Sequence, residues 1–223
     1  MFTRTIQLIG EDGFRALQKA RVILFGVGGV GGWCAETLLR TGIGHLTIVD
    51  FDVVDITNLN RQVVATHENM GHSKVSEMQS RLLSIIPNAD IQAIECQYNA
   101  NTADTFDLTQ YDIVVDAIDM IECKTLLLYN ATIAGCRVYS SMGAGRKINP
   151  QSIRTAEFWK VQGCPLARAL RSKMKKTGLL PTNKISCVYS EEINKEQGTL
   201  APVVGTFGMT LASLVIQDCI KQY

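Results

Sequence analysis

No two cysteines in this sequence form a C-x-x-C pair, no segment repeats, and no low-complexity stretch reads as a linker. The seven cysteines (Cys34, Cys96, Cys123, Cys136, Cys164, Cys187 and Cys219) are odd in number and widely scattered. That pattern argues against a disulfide framework and against a structural zinc, and it suits a reducing, cytoplasmic setting. Met1–Gly10 lacks the charged start and apolar core of a secretory signal. No apolar run reaches the ~18 residues of a membrane span. The apolar stretch Thr206–Ile220 reads as a core or dimer helix, with association to a membrane surface left open. With 223 residues, 46% hydrophobic and 19% charged, the chain suits one well-buried α/β domain and is short for two.

Net charge is also small, at +1, but its distribution is uneven. Ten Lys/Arg and a single acid, Glu157, fall between Gly145 and Lys184, which leaves the remainder of the chain acidic. A basic face of this kind is the footprint of a docking polyanion. Its plainer reading is a solvated helix surface.

The hydrophobic pattern alternates strand and helix. An apolar run, Arg21–Phe25, stops at a glycine cluster; Trp33–Thr41 reads as a helix and Leu46–Val49 as a second buried strand, which makes one βαβ unit. After a long connection come a helix over His72–Ile86, strands at Ile91–Ile94 and Ile113–Val115, a helix over Ile121–Ala134 and a strand at Arg137–Ser140. Such alternation predicts an α/β fold with a doubly wound, mostly parallel, Rossmann-like sheet. Beyond Gly145 short strands (Ser152–Ala156, Ser186–Tyr189) flank a basic helix, Pro165–Lys176. The expectation is a single domain, 1–223, with a nucleotide-binding core over 1–144 and a small mixed α/β part, basic and substrate-facing, over 145–223.

Gly26-Val-Gly28-Gly29-Val-Gly31 satisfies G-x-G-x-x-G between strand and helix. The glycines serve a tight turn, close approach of backbone to phosphate, and helix–sheet packing, and the helix N-terminus offers free N–H groups to an anion. Asp50 ends the next strand, where a carboxylate accepts from ribose hydroxyls. This much says only adenine nucleotide. The next stretch of chain favours ATP over NAD, because Asp50-Phe-Asp52 leads to Asn58-Leu-Asn60-Arg61-Gln62 and then Lys74. Three phosphates need fixed positive charge, which Arg61 and Lys74 supply where pyrophosphate would leave, and Asn58 can donate to a phosphoryl oxygen. Asp116-Ala-Ile-Asp119 ends the fourth parallel strand, where ligands sit in such sheets; Asp119 suits Mg²⁺ held together with the phosphates. A helix cap is the plainer alternative for either Asp alone, though not for the whole constellation.

The segments Gly26–Gly31, Asp50–Gln62, Gly71–Lys74 and Asp116–Asp119 resemble the ubiquitin-activating / sulfur-carrier adenylyltransferase superfamily (ThiF/MoeB-like). The resemblance implies ribose binding at Asp50, phosphate contacts at Asn58, Arg61 and Lys74, and Mg²⁺ at Asp119. It also implies a homodimer in which Arg4 reaches into the partner's ATP site. Ser141–Pro150, the Pro165–Lys176 helix, Ser186–Glu191 and Thr206–Met209 are similar to the tRNA threonylcarbamoyladenosine dehydratase (cyclase) branch. What that branch implies is adenylation of a carboxylate on tRNA, followed by ring closure. The tRNA phosphates, and no DNA, would then meet Arg146, Lys147, Arg154, Lys160, Arg168, Arg171, Lys173, Lys175 and Lys176. With no RRM-like or KH-like motif, recognition would be by shape and backbone. Sulfur-transfer or cysteine-desulfurase proteins are further partners within the same resemblance.

Other readings stay open at this point. Activation of the C-terminal Gly of a ubiquitin-like sulfur carrier is disfavoured by the missing C-x-x-C pairs and by the basic segment. An NAD-dependent oxidoreductase has no use for Arg61 and Lys74 beside the phosphates. A nucleotide-binding regulatory relative without activity would have lost some of Asp50, Asn58, Arg61, Lys74 and Asp119. Cys187 is in the region where some relatives carry a reactive thiol, and a buried strand cysteine is its plainer reading.

Overall fold

A computed structural model describes residues 1–221. One seven-stranded sheet runs through the molecule in the order β3-β2-β1-β4-β5-β7-β6. Its strands are β1 (Arg21–Phe25), β2 (His45–Asp50), β3 (Asp90–Glu95), β4 (Ile113–Asp116), β5 (Arg137–Ser141), β6 (Ile153–Glu157) and β7 (Ile185–Ser190). All neighbours are parallel except β6, which runs antiparallel on β7 at the edge. The parallel doubly wound fold is thus as the alternation predicted. β7 pairs directly with β5, so the sheet continues through the basic part of the chain.

β1 shows why the sheet is covered on both sides. Val22 and Leu24 pack into one apolar layer and Ile23 and Phe25 into the other, as the two-residue strand period requires. The first layer is closed by α1 (Thr3–Lys19), α2 (Gly29–Thr41), α3 (Lys74–Ile85) and α6 (Ala201–Lys221); the second by α4 (Ile121–Ile133) and α5 (Pro165–Thr177). α6 lies on α2 closely enough that a Cβ on Gly208 would meet the Val30 carbonyl oxygen at 2.4 Å. By length and composition α6 could cross a membrane, but half of its apolar window is buried inside the fold.

Two helix starts differ from the sequence expectation by four residues or more, and one helix was not anticipated. α2 starts at Gly29 rather than Trp33, so the glycine cluster is itself the first helical turn. α6 starts at Ala201, which brings Val204 into contact distance of the glycine turn. α1 had no counterpart in the pattern. It is broken at Gly10 (φ +74°, ψ 168°) and buries Gly13, Ala16 and Leu17, the two glycines interrupting an otherwise amphipathic stretch.

The crossover from β1 to β2 and the one from β4 to β5 run in opposite directions along the sheet. They open a crevice at the carboxyl ends of β1 and β4, the switch point where such sheets bind ligands.

Candidate active site

The crevice is a cleft of about 480 Å³. Its floor is the β1–α2 turn. Gly26 takes φ +89°, and a Cβ there would sit 2.8 Å from the Ala117 carbonyl oxygen, so the turn and the end of β4 approach as only glycine permits. Gly28 caps α2 without a side chain, which leaves the first-turn N–H groups free for an anion.

Asp50 closes one side. Its Oδ2 accepts from the Val27 N–H at 2.7 Å and its Oδ1 from the Asp52 N–H at 2.9 Å. Burial pushes its carboxyl above the usual range, and the hydrogen bonds from Asp52 and Val27, with Lys74 nearby, oppose that. Asp50 therefore ties the glycine turn to β2 while still lining the cleft. Lys74 opens α3, is 5% exposed, and pairs through Nζ with Asp52 Oδ2 at 2.7 Å. Asn58 is held in a capping box with Asp55. The Arg61 guanidinium is steadied by the Thr57 carbonyl and Asn60 Oδ1, both bonds made through one nitrogen.

The exposed carboxylate of Asp119, beyond β4, lines the same cleft as these cations. Val49, Tyr98, Ile118 and Met120 supply an apolar wall that suits a flat heterocycle. Gln62 was not singled out by sequence reasoning. It is buried in the same cleft, and its Oε1 has no protein partner, so a ligand donor can satisfy it. Its only sequence signal was its place beside Arg61.

The profile of the ThiF family matches residues 2–222. The chain belongs to the ThiF family. It is 34% identical over 203 residues to tRNA threonylcarbamoyladenosine dehydratase of Bacillus subtilis, covering 88% of this chain and 80% of that one. The Escherichia coli protein of that name is 34% identical over 201 residues, with 86% and 73% covered. Among solved structures, that of the E. coli enzyme in complex with ATP is similar at a TM-score of 0.94 and 31% identity, over 99% of this chain and 94% of that one.

In this ThiF-family chain the cleft gathers Gly26, Gly28, Gly29, Asp50, Asp52, Asn58, Arg61, Lys74 and Asp119, as the spacing anticipated. Three expected residues lie elsewhere. Asp116 is fully buried in an ion pair with Lys124, 2.6 Å away, and does not line the cleft. Gly31 is buried against Gly26, whose carbonyl oxygen a Cβ would meet at 1.7 Å, so its role is to seat the helix. Arg4 lines a separate recess with Arg40, Ile85 and Ile86.

The basic segment needs larger corrections. Lys147 is buried, and its Nζ donates to the carbonyls of Ser190 (3.0 Å) and Glu192 (2.6 Å); burial lowers its pKa. Arg171 donates to the carbonyls of Phe158 and Val161 and lies over the Phe158 ring. Lys173 pairs with Glu122 at 3.0 Å. Arg146, Arg154, Lys160, Arg168, Lys175 and Lys176 are exposed. Cys187 is fully buried and its thiol is pushed far up by that burial, which suits a packing residue and not a nucleophile.

Proposed function

We propose that this chain adenylates the carboxylate of the threonylcarbamoyl group on an anticodon-loop adenosine of tRNA, and that the activated group then cyclises with loss of water. The carrying observation is the cleft itself, which gathers free helix N–H groups, Arg61, Lys74 and the exposed carboxylate of Asp119 around one space. Similarity to the dehydratases over most of the chain supports the substrate.

The carboxylate attacks the α-phosphorus of ATP and pyrophosphate departs. Arg61 and Lys74 stabilise the charge that develops on the leaving group, in a cleft where their fields are poorly screened. Asp50 and Gln62 orient the nucleotide. A nitrogen of the same modified side chain then attacks the acyl carbon, forms a five-membered ring and expels AMP. Ring closure within one molecule gains its rate from proximity, so neither a cysteine nucleophile nor zinc is required. Among the described residues no three His, Cys, Asp or Glu side chains cluster to hold a metal by themselves. A hard cation bound mainly by phosphates and water, with Asp119 as the protein ligand, fits that donor set. Such a Mg²⁺ would neutralise phosphate charge. In a homodimer Arg4, which lines a recess separate from its own cleft, would serve its partner's.

The test is ATP–pyrophosphate exchange by the purified protein with tRNA bearing the threonylcarbamoyl group, with unmodified tRNA, and alone. Exchange with the modified tRNA only, accompanied by loss of one water from that nucleoside, is the expected result. Exchange restored only by a ubiquitin-like carrier protein would overturn the tRNA reading.

A further inference from the structure

Behind the cleft wall lies an ion pair that the reaction does not touch. Lys124, on α4, and Asp116, at the end of β4, are both 0% exposed, with Nζ 2.6 Å from Oδ2. The pair is connected on every side. Asp116 Oδ2 also accepts from Ser140 Oγ at 2.6 Å, on the adjacent strand β5. Asp116 Oδ1 accepts from the Ile118 N–H at 3.1 Å, and Lys124 Nζ donates to the Ile118 carbonyl at 2.9 Å. One residue, Ile118, is thus gripped at its amide and at its carbonyl by the two members of a buried pair. Ile118 lines the cleft, and the next residue is Asp119.

Stability does not account for this arrangement. Two charges withdrawn from water cost several kcal/mol each, and apolar replacements of similar volume are often neutral or stabilising. The neighbouring thiol of Cys187, opposite Ser140 in the β5–β7 register, is held neutral by burial and brings no competing charge. Unlike an apolar contact, the hydrogen bonds are directional. They fix the orientation of the Ile118 peptide groups where the chain turns from β4 toward α4.

We propose that Asp116, Lys124 and Ser140 are positioning residues that lock the Ala117–Met120 segment so that Ile118 and Asp119 face the bound nucleotide. The inference rests on the cleft being a nucleotide site, as proposed above. Asp116 thereby keeps a place in nucleotide binding, indirectly and from behind the wall.

The decisive variant is Asp116→Leu/Lys124→Met, which removes both charges and roughly keeps the volume. ATP affinity is read by calorimetry without tRNA, and local order by amide exchange. The expected result is a melting temperature at or above that of the unaltered protein, with ATP binding weakened by about tenfold or more, the effect typical of outer partners of a ligand site. Amide exchange should quicken at Ile118 and Asp119 while β1 stays protected. Ser140→Ala, which deletes one hydroxyl and leaves the pair, should move the same two readouts in the same direction by less. It decides the question if the double variant does not fold. ATP affinity and Ile118 exchange both unchanged in a folded variant would overturn the clamp. If the unaltered protein itself does not bind ATP, the nucleotide reading fails instead.

Discussion

Two polar regions of this molecule are handled differently by the fold. Between Asp50 and Lys74, residues separated by as many as 24 positions converge on one cleft and leave their functional groups facing a shared space. Between Gly145 and Lys184, cations that crowd together in sequence are dispersed. Lys147 goes inside, Arg171 ties down a loop, Lys173 meets Glu122, and the exposed remainder spreads over β6, α5 and the loops beside them. Convergence in the first region comes from strand ends, which bring their loops to one edge of a parallel sheet. Nothing equivalent focuses the second. A count of charges in a segment therefore overstates the surface charge it presents.

Arg61→Ala puts the contrast between the two regions to its hardest test. Among the described residues the Arg61 guanidinium bonds only to the Thr57 carbonyl and Asn60, so its loss should leave the melting temperature nearly unchanged. Adenylation measured by pyrophosphate exchange should fall by about 10²–10³-fold, the cost of removing one preorganised donor. Undiminished exchange would remove Arg61 from the mechanism.

Lys147→Ala should behave in the opposite way. The buried Ser190 carbonyl and the half-buried Glu192 carbonyl lose a charged donor, so denaturant titration should show a loss of about 2–3 kcal/mol. If stability is unaffected while tRNA affinity drops, Lys147 belongs to the surface after all and the contrast between the regions collapses.

Lys175→Ala/Lys176→Ala removes two exposed cations from the last turn of α5. Stability should hardly change. tRNA binding should weaken and become less sensitive to salt, the slope of log K against log salt falling in magnitude by about 0.7–0.9 per lost phosphate contact. A slope identical to that of the unaltered protein would place the tRNA on another face.

The smallest effect concerns Glu36, on α2 away from the cleft. Burial raises its carboxyl, but hydrogen bonds from Arg81 and Arg40 together outweigh it and hold it below the usual glutamate range. A depressed acid contributes stability that is present above its unfolded pKa and lost as pH falls through the folded one. Both guanidinium groups are well exposed, so Glu36→Gln should cost no more than about 1 kcal/mol at neutral pH. Thermal melts against pH should show the difference closing in the acid range. For Asp50 the sign is reversed, because burial raises its carboxyl: its contribution to stability falls as pH rises through that range.

Much of this was legible in the residues. β1, α4 and α5 could be read to within a residue or two because apolar period and Gly/Pro punctuation coincide there. The cleft side chains were legible because Asp50 and Asp119 follow strand ends, and because Asn58, Arg61 and Lys74 match the charge of three phosphates, a pattern the family resemblance reinforced. Gln62 was not, since an amide beside an arginine has no spacing rule of its own. α1 was missed because Gly10 and Gly13 punctuate a stretch that is otherwise amphipathic. Asp116 was misread because a carboxylate at a strand end gives no hint of whether a lysine will reach it from behind; Lys124 does so from α4, eight positions along the chain.

Local pattern determined the strand–helix order, the glycine turn and the identity of the charged groups around it, because these are set by backbone period and short-range spacing. Which charges face solvent, which face a ligand and which face one another was decided only by tertiary packing. Burial and pairing depend on side chains that meet across the sheet from separate helices and strands, and no rule of spacing along the chain encodes that meeting.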